Sequence, residues 1–249
     1  MITAATPETW QDLQSEVARL LAECGFAVEV EKAIQTPRGT IELDVLADET
    51  VKGRRYALAC ECKHWRKKIP QTIVHAFRTV VTETGANVGY LISLEGFQSG
   101  SYQASEMTNL ELVTWSEFQD LFEQTWFDTF FIHEIDRRLE SLMSYTEPFA
   151  PAWWDAMSGV DQDAYVQLQR KHFALGALAL SLGPYTRMLR SSPPPDLPLR
   201  ERLVSQPELG PIPEAVLDAT AYRELLDAAI HHGEAAIAEF EVFRARYST

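Results

Sequence analysis

The stretch TIELDVLADETVKGRRYALACECK, Thr40 to Lys63, reads as two β-strands joined by a turn. Thr40–Ala47 alternates apolar with polar residues, which puts Ile41, Leu43 and Val45 on one face of a half-buried strand. Lys52-Gly53 supplies the turn, and Arg55–Lys63 forms the next strand. Residues i and i+2 of a strand share a face, so Glu61 and Lys63 lie on one side and Cys60 and Cys62 on the other. If the strands pair as a hairpin, Asp44 comes beside Glu61. Two converging carboxylates make a hard-oxygen site suited to Mg²⁺, with the Cys62 backbone carbonyl as a third donor. Such an ion polarises a phosphoryl oxygen and lowers the pKa of a bound water, and Lys63 adds positive charge where negative charge develops. Glu42, two residues before Asp44, is a rival for the same role. Asp44 is preferred because it is centred among Ile41, Leu43, Val45 and Leu46, where a carboxylate is costly without a partner. The same residues also describe an ordinary cross-strand ion pair.

Upstream, Pro7–Cys24 reads as a helix, with Trp10, Leu13, Val17, Leu20 and Leu21 at helical spacing and Gly25 as its stop. Packed on the sheet, this helix can bring Glu16 toward the carboxylates. Phe26–Glu31 alternates as a strand, and Thr36-Pro37-Arg38-Gly39 is turn chemistry. Downstream, a helix runs from Pro70 to Thr84, where Gln71 and His75, one turn apart, can touch a phosphate. Val88–Ser93 is a short buried strand, Ser99–Met107 a helix and Leu110–Thr114 a last strand. The order α-β-β-β-α-β-α-β gives an α/β fold, a central mixed sheet flanked by helices. Beyond Thr114 no strand pattern recurs. Trp115–Met143 reads as one long helix or two, Asp161–Leu182 as another, Ser191–Leu199 as a proline-rich connector and Ala219–Tyr247 as a final amphipathic helix. The expected division is therefore a mixed α/β domain over 1–115 and an all-helical C-terminal domain over 116–249.

The ordered motifs extend past the hairpin. Ser15-Glu16-Val17-Ala18 with Leu20-Leu21 leads into Gly25-Phe26, then come Ile41–Val45 and Cys60-Glu61-Cys62-Lys63-His64-Trp65. Gly89–Ser93, Gly96–Gly100, Ala104 and Leu112–Trp115 complete the series. This succession resembles the Mrr-like branch of the PD-(D/E)XK restriction-endonuclease superfamily over about residues 8–120, with archaeal Holliday-junction resolvases as more distant relatives. The resemblance implies a restriction-endonuclease-like core and a metal-dependent DNA endonuclease of restriction or anti-phage defence. It makes Asp44 and Glu61 ligands of Mg²⁺, with Mn²⁺ substituting, Lys63 the catalytic lysine and Glu16 an auxiliary acid. Leu43 stands before Asp44 where the motif's name has proline. The resemblance does not reach the helical half.

The formal net charge is −14, which argues against a protein that coats nucleic acid by bulk charge. Residues 1–115 hold 11 basic against 15 acidic side chains, whereas 116–249 hold 11 against 21. Within the first part Lys52, Arg54, Arg55, Lys63, Arg66, Lys67 and Lys68 crowd together, and Arg66, Lys67 and Lys68 are candidate DNA contacts beside the site. The acidic, aromatic second part suits assembly or a protein partner better than duplex DNA, and Trp153-Trp154 is its candidate patch. Partner gating of the nuclease, or a non-catalytic nucleic-acid-binding or scaffold module, are the alternatives. A homodimer is expected where both strands are cut. A 46% hydrophobic and 23% charged chain is of globular type and excludes a disordered or collagen-like reading. No run of about 18 apolar residues occurs, no signal segment is seen at Met1–Trp10, and three unpaired-looking cysteines make the cytoplasm the expected location.

Overall fold

The computed structural model describes residues 1–36, 39–186, 193–203 and 211–247. It divides into two compact units, Ala5–Trp126, and Met1–Ala4 together with Phe127–Thr249.

In the first unit α1 (Trp10–Glu23) opens with a reciprocal cap: the Asp12 N–H donates to Thr9 Oγ1 at 3.1 Å and the Thr9 N–H to Asp12 Oδ2 at 3.0 Å. The helix stops at Cys24, followed by Gly25 at φ 95°. Its stripe Leu13, Val17, Leu20 and Leu21 is buried; Trp10, one turn ahead of Leu13, stands half-exposed outside it. Five strands follow the order β1 (Ala27–Thr36), β2 (Gly39–Val51), β3 (Arg54–Lys63), β4 (Val88–Ser93) and β5 (Leu110–Thr114), neighbours in sequence being neighbours in the sheet. The first two pairings are antiparallel hairpins and the last two parallel, as β3 and β4 are joined through α2 (Gln71–Thr84) and β4 and β5 through α3 (Ser99–Ser105). The hairpin strands run longer than their apolar cores suggest, because pairing continues into the polar residues flanking the turn at Lys52-Gly53. Pro37 and Arg38, in the expected first turn, lie outside the described residues.

Helices cover both faces of the sheet. Val74, Phe77 and Val81 of α2 form one cluster with Leu46, Ala59, Leu91 and Leu110. Tyr90, next along β4, instead meets Phe118 and Phe122 edge-on at 5.4 and 5.9 Å. Those rings belong to α4 (Trp115–Trp126), which follows β5 directly. This packing keeps α4 with the sheet, so the division falls at Trp126 rather than at the 115/116 position read from the sequence.

In the second unit, a π-helical stretch, Phe127–Phe131, stacks its two terminal rings at 4.4 Å and leads into α5 (Ile132–Thr146). Helix α6 (Gly159–Leu182) passes α5 at Gly176, where a Cβ would lie 2.0 Å from Thr146 Oγ1. After short helical turns at Arg200–Leu203 and Glu214–Leu217 comes α7 (Tyr222–Tyr247). The first amides of α7 find acceptors in the N-terminal segment: Tyr222 N–H donates to Met1 O at 3.3 Å and Arg223 N–H to Ile2 O at 2.8 Å. That is why Met1–Ala4 belong with the helices. Trp153 and Trp154 are half-buried and meet Tyr165 edge-on at 5.3 and 6.2 Å, so the pair is packed within its own unit. Ser191 and Ser192 of the expected connector lie outside the described residues. No helix among the described residues is long and apolar enough to cross a membrane.

Candidate active site

The strand ladders break at Asp44. Between β1 and β2 the register reaches Val30↔Val45 and resumes at Lys32↔Leu43, with no Glu31–Asp44 pair between them, and Glu31 takes φ 51°. Between β2 and β3 it ends at Val45↔Cys60. Alternation slips at the same place. Leu43 and Leu46, three residues apart, line one core cluster, and Val45 is fully buried as well. The simple face assignment of Ile41, Leu43 and Val45 therefore holds only up to Asp44.

Backbone groups freed by such a break need partners. The Asp44 carbonyl accepts from Gln14 Nε2 of α1 at 2.8 Å, and the Gln14 side chain is buried. The Asp44 carboxylate takes the place of the missing ladder bond: Oδ2 accepts from the Cys62 N–H at 2.7 Å. In an extended strand a residue's N–H and C=O leave on the same edge, so the Cys62 carbonyl is also directed toward β2. Gln14→Leu is expected to cost roughly 1–3 kcal/mol of stability in urea unfolding, the cost of a buried carbonyl left without its donor. Unchanged stability would show that this bond has no net weight.

Glu61 and Lys63 share the face predicted for them and are joined by an ion pair between Nζ and Oε1. Each side chain is about one-fifth exposed, 22% and 21%. Burial raises the Glu61 carboxyl above its ordinary range, the Asp44 charge pushes it further, and Lys63 opposes both. Two carboxylates whose charges disfavour each other in a partly desolvated place are the setting that a divalent cation relieves. Among the described residues no group of three or more His, Cys, Asp or Glu side chains converges. A two-carboxylate set fits Mg²⁺, which keeps several waters and completes its shell with substrate phosphate oxygens. Cys60 and Cys62 are buried on the opposite face with their thiols pushed up by burial, which leaves them outside the site.

The remaining expected residues are placed as follows. Glu16 sits on α1 in an ion pair with Arg19, and among the described residues no hydrogen bond or ion pair joins it to Asp44 or Glu61. The α1 side chain that reaches Asp44 is Gln14, two residues earlier. A glutamine on an apolar helix face, beside Leu13 and at helical spacing from Val17 and Leu21, is the signal in the sequence that marks it. Glu42 is exposed, whereas Asp44 is half-buried. Gln71 begins α2 with its amide against Gly100, where a Cβ would come within 2.8 Å of Oε1. His75, Arg66, Lys67 and Lys68 are exposed.

Residues 7–122 match the family model Mrr_cat, described as a restriction endonuclease. The match covers a little under half of the chain, is consistent with a restriction-endonuclease-like α/β core in this segment, and does not touch the helical part. One solved structure, AF1548, described as a protein of unknown function, is 16% identical. It covers 64% of this chain and 95% of its own, at a TM-score of 0.38. No curated protein matches the chain.

Proposed function

We propose that the first unit is a metal-dependent DNA endonuclease of restriction or anti-phage defence, with Asp44, Glu61 and Lys63 as its working residues. The observation that carries this reading is the Asp44 carboxylate held on the Cys62 N–H at the ladder break, beside the Glu61–Lys63 pair. Asp44, Glu61 and the Cys62 carbonyl would hold Mg²⁺ or Mn²⁺. A bound ion of this kind supplies charge at the phosphoryl oxygen and a water of lowered pKa. Asp44 contributes a carboxylate whose position is set twice, through its side chain and through Gln14 on its carbonyl. Lys63 Nζ offers a proton donor and a positive charge to a phosphate oxygen or the attacking water. Hydrolysis forms one P–O bond to the water oxygen and breaks one ester P–O bond. Glu16 keeps only the auxiliary role that the resemblance implies, its carboxylate being engaged by Arg19.

The test uses end-labelled duplex DNA and RNA of one sequence in Mg²⁺, with and without EDTA. DNA is expected to be cut, RNA to persist and EDTA to stop the reaction. Cleavage of RNA alone overturns the DNA reading. No cleavage of either by the purified chain favours gating by a partner, a reading supported by the strongly acidic composition of residues 116–249.

A further inference from the structure

The segment that follows the catalytic lysine is tied down at both ends. His64 Nε2 lies 3.1 Å from the Pro7 carbonyl, to which it donates from that nitrogen. At the other end the Ile69 N–H donates to Gly96 O at 3.0 Å, while the Ile69 carbonyl accepts from Gln98 N–H at 3.0 Å and Ser101 Oγ at 2.7 Å. Ile69 itself is fully buried. Between these anchors Trp65, Arg66, Lys67 and Lys68 are exposed one after another, Trp65 at 36%. Among the described residues none of the three cations is in an ion pair, although the chain as a whole is acidic. His64, Trp65, Arg66 and Lys67 line an open pocket of about 520 Å³, within the range of small-ligand sites.

An exposed indole beside unpaired cations, on a segment braced at both ends, has the composition of a site for one nucleotide. The ring offers a stacking face to a base, and the cations take the phosphates on either side. Inside an intact duplex a base has both of its faces stacked and cannot reach such a ring. We infer that Trp65 stacks an unpaired base next to the scissile phosphate, so that the substrate is DNA carrying an unpaired nucleotide at the cut, in a single strand or extruded from a duplex. This rests on the nuclease reading and deepens it by naming the substrate class.

Binding measured in EDTA, where no cleavage competes, separates the two. The ligands are a single-stranded oligonucleotide, a duplex with one unpaired base and the same duplex fully paired. Proteins are wild type, Trp65→Ala and Trp65→Phe, each checked for a wild-type circular dichroism spectrum. Trp65→Ala is expected to weaken both unpaired ligands by roughly 5- to 150-fold, the equivalent of ~1–3 kcal/mol for one stacked base, and the paired duplex less than twofold. Trp65→Phe, which keeps a ring, is expected to hold most of the affinity. Wild-type tryptophan fluorescence should be quenched by the unpaired ligands, and that quenching should be lost in Trp65→Phe. Equal affinity of Trp65→Ala and wild type for unpaired ligands overturns the inference, as does an equal loss for all three. Preference for only one unpaired ligand identifies which source supplies the base. Trp65-dependent binding by a protein that cuts no DNA in Mg²⁺ would uphold this inference while counting against cleavage by the chain without a partner.

Discussion

Asp44→Asn is expected to abolish DNA cleavage, by on the order of 10³-fold or more, with little loss of stability. The amide oxygen of asparagine can still accept the Cys62 N–H that Asp44 Oδ2 now takes at 2.7 Å, so the ladder break stays closed. What disappears is the negative charge that, with Glu61, would hold the cation. Asp44→Ala is expected to lose the same activity and, in addition, roughly 1–3 kcal/mol of stability, because the N–H of buried Cys62 is left without its acceptor. The two variants thus separate the chemical role of the carboxylate from its structural role. Cleavage within tenfold of wild type in Asp44→Asn would remove Asp44 from the site. Equal urea midpoints for the two variants would remove the hydrogen bond from the account of how the residue is held.

Gly89→Val is expected to destabilise the first unit by about 3 kcal/mol or more, lowering its melting temperature by roughly 10–20 °C in calorimetry. Gly89 lies on β4 directly beneath Val81 and Phe77 of α2. A Cβ there would sit 2.4 Å from Val81 Cγ2, 2.7 Å from Leu110 Cδ2 and 3.1 Å from Phe77 Cε1. Val81 is fully buried and stiff about its first side-chain torsion, and Leu110 is 5% exposed, so neither can move aside cheaply. Val would add two further methyl groups to this clash. β4 pairs with β3 along Glu61↔Leu91 and Lys63↔Ser93, so the shift is expected to reach the proposed site and reduce cleavage as well. A Gly89→Val protein with wild-type melting would show that α2 and β4 are less closely packed than these distances require.

Most of the first unit was legible because its signals are local. The alternation in Thr40–Val45, the apolar run within Arg55–Lys63, the turn at Lys52-Gly53 and the limits of Val88–Ser93 and Leu110–Thr114 need only neighbouring residues. The juxtaposition of Glu61 with Lys63 follows from strand geometry alone, and the structure brings Asp44 to the same strand end. What escaped depends on contacts distant in sequence. The slip at Asp44 is made possible by Gln14, thirty positions away, and by the left-handed backbone of Glu31, which no residue-type preference announces. An acidic side chain on the first helix was the natural choice for the site, yet Glu16 has a local partner in Arg19 that satisfies it at i+3. Helix α4 reads as the start of a helical half because nothing in its sequence shows that Tyr90 will receive its phenylalanines. The alliance of Met1–Ala4 with the last helix joins main-chain groups and the Glu224 carboxylate more than 200 positions away, and leaves no local pattern to read.

Cleavage of DNA by Asp44, Glu61 and Lys63 acting with a divalent ion is our proposed function for the first unit. Its most direct test is the conversion of supercoiled plasmid, methylated and unmethylated, to nicked or linear DNA in Mg²⁺, Mn²⁺ and EDTA, with Lys63→Ala alongside the wild type. Conversion by the wild type is expected in either metal, with none in EDTA and none by a folded Lys63→Ala protein. Conversion that persists in EDTA, or that proceeds at the wild-type rate in Lys63→Ala, would contradict the proposed function.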